Sequence, residues 1–189
     1  MKRFSLSLLA GLLAVFVAGA QAFDATKCYT IATADGLVLD AQSSVLSETT
    51  LVLATPEADN LSQVWQITPL GKYRYRLVNG YSSQALDNAN GAEEHPVIQW
   101  PADPGNPNQF WLISRNRDGS YYILSEDTGM ALGLRRTGAF GDEAWQLQAD
   151  PDSPLQRWFI RESAQKVDFI VAKTSSKNDW ENEKVFAVN

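Results

Sequence analysis

Cysteine and histidine are nearly missing from this chain: its 189 residues hold one of each, Cys28 and His95. With a single cysteine no internal disulfide forms. Cys28, in Cys28-Tyr29-Thr30-Ile31 at the start of a strand, reads as a small buried hydrophobe; the alternative is a bridge between two chains. The same scarcity removes the usual His/Cys zinc sites. A Ser-His-Asp triad would have to use His95, which stands in Glu93-Glu94-His95-Pro96 and reads as a solvated loop residue, and no nucleophile-elbow motif accompanies it. No pair of carboxylates stands out for glycoside hydrolysis, whose acid and base are recognised by their separation in space. The expectation is a protein that is not an enzyme and uses no cofactor and no metal.

Positive charge is also scarce. Sixteen Lys and Arg face 22 Asp and Glu, a net charge of −6. An acidic surface gives no electrostatic footprint for nucleic acid or for anionic membrane. Long apolar runs are confined to the N-terminus. Lys2 and Arg3 precede the apolar stretch Leu8–Ala18, which ends in Ala20-Gln21-Ala22. A basic start, a short apolar core and an A-x-A end describe a secretory signal peptide. The stretch falls short of the roughly 20 residues a membrane span needs. Residues 1–22 are therefore expected to be removed, leaving a chain that starts at Phe23. The expected location is extracellular, or periplasmic in a bacterium, without membrane insertion.

What is present is a repeat. Gln63-Val64-Trp65, Gln109-Phe110-Trp111 and Gln156-Arg157-Trp158 are spaced 46 and 47 residues apart. In phase with them run Leu39-Asp40, Leu86-Asp87 and Leu132-Gly133, and an aromatic opens a strand at Tyr29, Tyr75 and Tyr122. Self-similarity of this period means a repeat architecture. Within each unit, short β-branched or aromatic runs alternate with turns such as Ala34-Asp35-Gly36, Asn79-Gly80 and Asp127-Thr128-Gly129. These are hairpin signals. Four strands per unit are expected, with the Q-x-W glutamine opening the last of them. The fold class is all-β, closed on itself so that no sheet edge is left exposed.

These triplets resemble the signature of the ricin B-chain type of β-trefoil lectin. The resemblance covers residues 27–161 and implies a β-trefoil of three roughly 46-residue repeats. It also implies glycan binding. In such lectins one site per repeat uses an Asp after the second strand, an aromatic on the third, and an Asn-Gln pair entering the Q-x-W. The middle repeat matches in full, with Asp87, Trp100, Asn108 and Gln109. The first keeps Asp40 and Gln63, a weaker second site, but offers Ala54 and Ser62 elsewhere; the third keeps only Gln156, beside Gly133, Leu147 and Leu155. The chemistry fits a sugar. An indole stacks on the apolar face of a pyranose, a carboxylate accepts charge-assisted hydrogen bonds from neighbouring hydroxyls, and an amide donates and accepts at once.

Trp65, Trp111 and Trp158 recur in every unit and are assigned to the core, whereas Trp100 has no counterpart and is assigned to the sugar. Asp87 has a structural alternative as the cap of the following turn, and the recurrence of Gln109 suits a backbone partner. The expected domain spans residues 23–161, with a C-terminal extension at 162–189 expected to form a β-hairpin. The expected partners are glycans of galactose-like type, with self-association supplying avidity. The competing reading is a trefoil protease inhibitor or protein-interaction module acting through loops and tail.

Overall fold

A computed structural model describes residues 23–89, 91, 93–136, 138–167, 169–172 and 184–187. The first unit contributes β1 (Cys28–Ala32), β2 (Val38–Asp40), β3 (Val52–Ala54) and β4 (Trp65–Pro69). The second contributes β5 (Arg74–Asn79), β6 (Gln84–Asp87), β7 (His95–Pro96), β8 (Ile98–Pro101) and β9 (Trp111–Arg115). The third contributes β10 (Tyr121–Ser125), β11 (Ala131–Leu134), β12 (Ala144–Leu147) and β13 (Phe159–Glu162). The expectation of four strands per unit thus holds, with β7 as a short addition. Pairing runs β1–β4–β5–β9–β10, and β13 closes the ring onto β1, while Trp158 bridges to Tyr121. The pairs β2–β3, β6–β8 and β11–β12 form three hairpins at one end of that barrel.

The threefold markers in the sequence are packing requirements. Trp65, Trp111 and Trp158 are fully buried. Each indole N–H donates to the carbonyl of the leucine in its own repeat's second marker: Trp65 to Leu39 at 3.2 Å, Trp111 to Leu86 at 3.0 Å and Trp158 to Leu132 at 2.8 Å. A buried indole needs such a partner, and this bond ties each hairpin to the barrel. The third marker needs one correction. The residue equivalent to Tyr29 and Tyr75 is Tyr121, not Tyr122. Tyr29, Tyr75 and Tyr121 lie opposite Trp65, Trp111 and Trp158. Their rings surround Phe23 at centroid distances of 5.2, 5.4 and 5.6 Å. Tyr122 points the other way, its hydroxyl donating to Gln156 Oε1.

A second correction concerns the glutamines. They do not open strands; they end the 3-10 turns Leu61–Gln63, Pro107–Gln109 and Pro154–Gln156. Each amide closes its own loop. Nε2 donates to the carbonyl eight residues back (Thr55, Pro101, Gln148), and Oε1 accepts from the N–H six residues back (Glu57, Asp103, Asp150). An extended glutamine would leave those four-atom sets unpaired, which is costly once buried.

The hairpins interlock around the threefold axis. The loop after β2 lies on β8, where Thr50 bridges to Ile98. β7 pairs with β12, and Val52 bridges to Glu143. Two buried glutamines fasten these joins. Gln99 Nε2 donates to the carbonyls of Ser44 and Leu46 while its Oε1 accepts from Ser82. Gln146 repeats the arrangement, with Gly91 and Glu93 as acceptors and Thr128 as donor. His95 belongs to this join and is not the solvated loop residue expected of it. It is half-buried in β7, its Nε2 lying 2.7 Å from Gln146 Nε2 and its Nδ1 2.9 Å from Pro96 O. That network assigns the proton to Nδ1.

The free thiol of Cys28 is buried, which pushes its pKa up. Above it runs the chain leaving β13, with Ser163 N donating to Cys28 O at 2.8 Å. Further on, β14 (Phe169–Ala172) pairs with β15 (Lys184–Ala187) as an antiparallel hairpin, matching the expected extension. Residues 1–22, the expected signal segment, and Trp180 lie outside the described residues. Among the described residues no helix is long and apolar enough to cross a membrane.

Candidate functional site

Strand register decides which residues are equivalent between repeats. Asp87 lies opposite Ile98 and Ala85 opposite Trp100. In the first repeat Asp40 faces Val52 and Val38 faces Ala54; in the third Gly133 faces Trp145 and Ala131 faces Leu147. Ala54, Trp100 and Leu147 therefore occupy one position, as the sequence spacing implied. Alternation along the strands does the rest. Leu86 and Gln99 turn inward and are fully buried, while Asp87 and Trp100 share the outer face.

The expected middle-repeat residues converge on one cleft. It has a volume of about 670 Å³ and is lined by Asp87, Trp100 and Asn108, a size typical of small-ligand sites. Trp100 is 37% exposed, unlike the three core tryptophans. The Asn108 side chain lines the cleft with no hydrogen-bond partner among the described residues, while its backbone carbonyl accepts from Asn88.

Asp87 is held rather than free. Its Oδ1 accepts from the Ala89 N–H at 2.8 Å, and its Oδ2 accepts from Gln109 Nε2 and Asn106 Nδ2, both at 3.1 Å. Burial raises its pKa above the ordinary 3.8; the bonds from Gln109, Ala89 and Asn106 oppose that rise without cancelling it. Both structural roles foreseen in the sequence are thus real: Asp87 caps its turn, and Gln109 serves the backbone. Gln109 is fully buried and does not line the cleft; it orients Asp87 from behind.

Two cleft residues escaped the sequence reading. Asn106 caps the 3-10 turn, accepting from Asn108 N, and donates to Asp87. Its signal was Asn106-Pro107, a turn start. Glu48, from the first repeat, also lines the cleft. Nothing within the middle repeat announces it.

The other repeats differ in detail. Asp40 is buried, with Oδ1 accepting from Ser62 at 2.7 Å and Oδ2 from Gln63 Nε2 at 2.9 Å, and Ala54 supplies no ring. In the third repeat a Cβ on Gly133 would lie 2.8 Å from Gln156 Cγ and 3.1 Å from Leu155 O, so the backbone has closed over the carboxylate's place. Trp145 there carries the Arg135 guanidinium 4.3 Å from its ring centroid, a cation–π contact that occupies the ring. Among the described residues no group of His, Cys, Asp and Glu is placed to hold a metal ion.

Solved structures with this fold include a designed threefold symmetric protein, ThreeFoil, at 24% identity and TM-score 0.65, covering 72% of this chain and 98% of that one. A Polyporus squamosus lectin, solved with a human-type influenza-binding epitope, has 24% identity and TM-score 0.61 over 75% of this chain. An exo-β-1,3-galactanase from Clostridium thermocellum has 27% identity and TM-score 0.67 over 75% of this chain. The match spans 50% of the lectin and 31% of the galactanase. A comparison with curated proteins returned no match. The model of the ricin-type β-trefoil lectin domain matches residues 27–158. With most of its length matched and its three Q-x-W tryptophans in the core, the chain belongs to the ricin-type β-trefoil lectin family.

Proposed function

We propose that this protein is a secreted, non-catalytic lectin that binds a galactose-like glycan through the middle-repeat cleft. One observation carries the reading. An exposed indole, a buried carboxylate and an unpaired side-chain amide meet in one cleft, and only the middle repeat assembles all three. The indole takes the apolar face of the pyranose. Asp87 accepts from one hydroxyl through the lone-pair site on Oδ1 that its three internal donors leave free, and Asn108 binds the next hydroxyl. The Polyporus squamosus lectin, solved with a bound glycan epitope, supports carbohydrate as the ligand class.

The test is a glycan array of Phe23–Asn189 beside Trp100→Ala and the double variant Trp100→Ala, Asp87→Ala. Binding by the parent alone is expected, with the Trp100 variant melting where the parent does. Retained affinity in folded Trp100→Ala protein would remove the cleft from the mechanism.

A further inference from the structure

The cleft is built by two repeats, not one. One lining residue is Glu48, delivered from the first repeat along a fixed path. Glu48 N donates to Gln99 O at 3.0 Å, and Gln99 N donates to Thr49 O at 3.0 Å. Two residues thus oppose one, which is a β-bulge. The loop is also clamped by the Gln99 side chain, the neighbour of Trp100. Glu48 is therefore held beside the indole and is not a passing surface residue.

The backbone there is unusual. Glu48 has φ +66°, in the left-handed region. The third repeat makes the same bulge, with Gly141 N donating to Leu53 O and Leu53 N donating to Asp142 O. There the residue is Gly141, at φ +82°. Glycine adopts this conformation without penalty, and a glutamate does not. The first repeat thus keeps a glutamate in the left-handed region where the third repeat uses glycine, and that glutamate lines the cleft. Strain retained at a binding cleft points toward a use for the side chain.

The charges give that use a direction. Among the described residues Glu48 and Asp87 are the charged ones lining the cleft, and no Lys, Arg or His joins them there. Glu48 is exposed and has no ion-pair partner among the described residues. An unbalanced carboxylate lining the cleft repels a sugar bearing its own carboxylate or sulfate and attracts a protonated amine. We propose that Glu48 is a specificity-determining residue of the middle site, selecting amino and neutral sugars and rejecting acidic ones. This rests on the lectin reading above and names the ligand class for the same site.

The experiment compares sugars that share a ring and differ in charge: galactose, galactosamine and galacturonate, with the gluco and manno series alongside. Affinities are measured for the parent, Glu48→Gln and Glu48→Gly at neutral pH and low salt. The readout is the ratio of affinities within each variant, so a loss common to all sugars divides out. In the parent, the amino sugar is expected to bind best and the uronate worst. Both variants should shrink the amino-to-neutral and neutral-to-acid ratios by about two- to fivefold, the range of an exposed charge pair. Added salt should shrink the parent's ratios more than those of the variants, which keep Asp87. Glu48→Gly relieves the backbone, so its melting temperature should match or exceed the parent's. Neutral sugars that bind with ratios unmoved by either folded variant would overturn the role of Glu48 and leave the lectin reading standing. Failure of every sugar to bind the parent would overturn both.

Discussion

At the scale of the residue, Asp87 is asked to do two things that titrate in opposite directions. Burial raises its pKa above 3.8 despite the donors gathered on it. A carboxyl whose pKa rises on folding contributes stability that is fully present below the ordinary value and is lost as pH rises through the raised one. At neutral pH the ionised Asp87 therefore costs the fold something. The proposed sugar binding needs that same ionised form, because a proton would fill the one lone-pair site on Oδ1 that the internal donors leave for a hydroxyl. Affinity should consequently fall as pH drops, with a midpoint above 3.8, while Asp87 itself makes no contribution to acid unfolding over that window. Calorimetric titrations from neutral pH downward, paired with melting curves at each pH, would check this. A binding midpoint below the ordinary carboxylate value would remove Asp87 from the ligand's coordination. The place of Asp87 in the cleft was legible in the sequence, because its position corresponds to Asp40 and Gly133 and its neighbours vary in step. The role of Gln109 was legible only in outline: recurrence told of a backbone partner, but spacing does not reveal that Nε2 also reaches Asp87 at 3.1 Å.

At the scale of the element, the hairpins depend on joins that cross repeat boundaries. Gln99 is buried and satisfies the carbonyls of Ser44 and Leu46 and the hydroxyl of Ser82. The equivalent position in the first repeat is Leu53, also buried, where the join is made by backbone alone. Leucine thus fits the place by shape. Gln99→Leu should still destabilise the protein by about 2–4 kcal/mol, since it strands polar groups that water reaches poorly. It should also free the loop that carries Glu48, so proteolysis near residues 42–49 should speed up and sugar selectivity should weaken together. Urea melts, a proteolysis time course and the charged-sugar panel check the three effects. Unchanged selectivity in a destabilised, loop-nicked protein would separate the join from the site. This join was not visible in the sequence. Gln99 and Gln146 each precede a Q-x-W glutamine by ten residues, but Leu53 breaks the pattern in the first repeat. The misplacement of the Q-x-W glutamines in strands has a related cause. Alternation continues through Gln and Trp as it would in a strand, and only the amide's two loop-closing bonds reveal a turn.

At the scale of the whole molecule, one fold is repeated three times, and the exposed indole, the carboxylate and the amide that the proposed site uses meet once among the described residues. The threefold part is what closure demands: three buried indoles, three tyrosines around Phe23 and three glutamines shutting loops. Those requirements act on every unit alike, which is why the fold was the most legible feature of the sequence. Ligand residues carry no such requirement, so each repeat was free to change. In the first repeat Asp40 is held by Ser62 and Gln63 much as Asp87 is held by Asn106 and Gln109, but Ala54 offers no ring, and the third repeat has Gly133 in the carboxylate's place with Gln156 packed against it. Binding should therefore saturate at one sugar per chain in calorimetry. A lone site of this kind is expected at about 0.1–1 mM, or roughly −4 to −5.5 kcal/mol. A surface displaying many glycans gains nothing from a monomer with one site, because avidity needs a second engagement by the same particle. Retention on a dense glycan surface should match the single-site affinity if the protein sediments as a monomer, and exceed it by tenfold or more if it self-associates. A stoichiometry of two in a sedimenting monomer would show that Asp40 and Gln63 form a working site after all, and losing the second equivalent in Asp40→Ala would locate it.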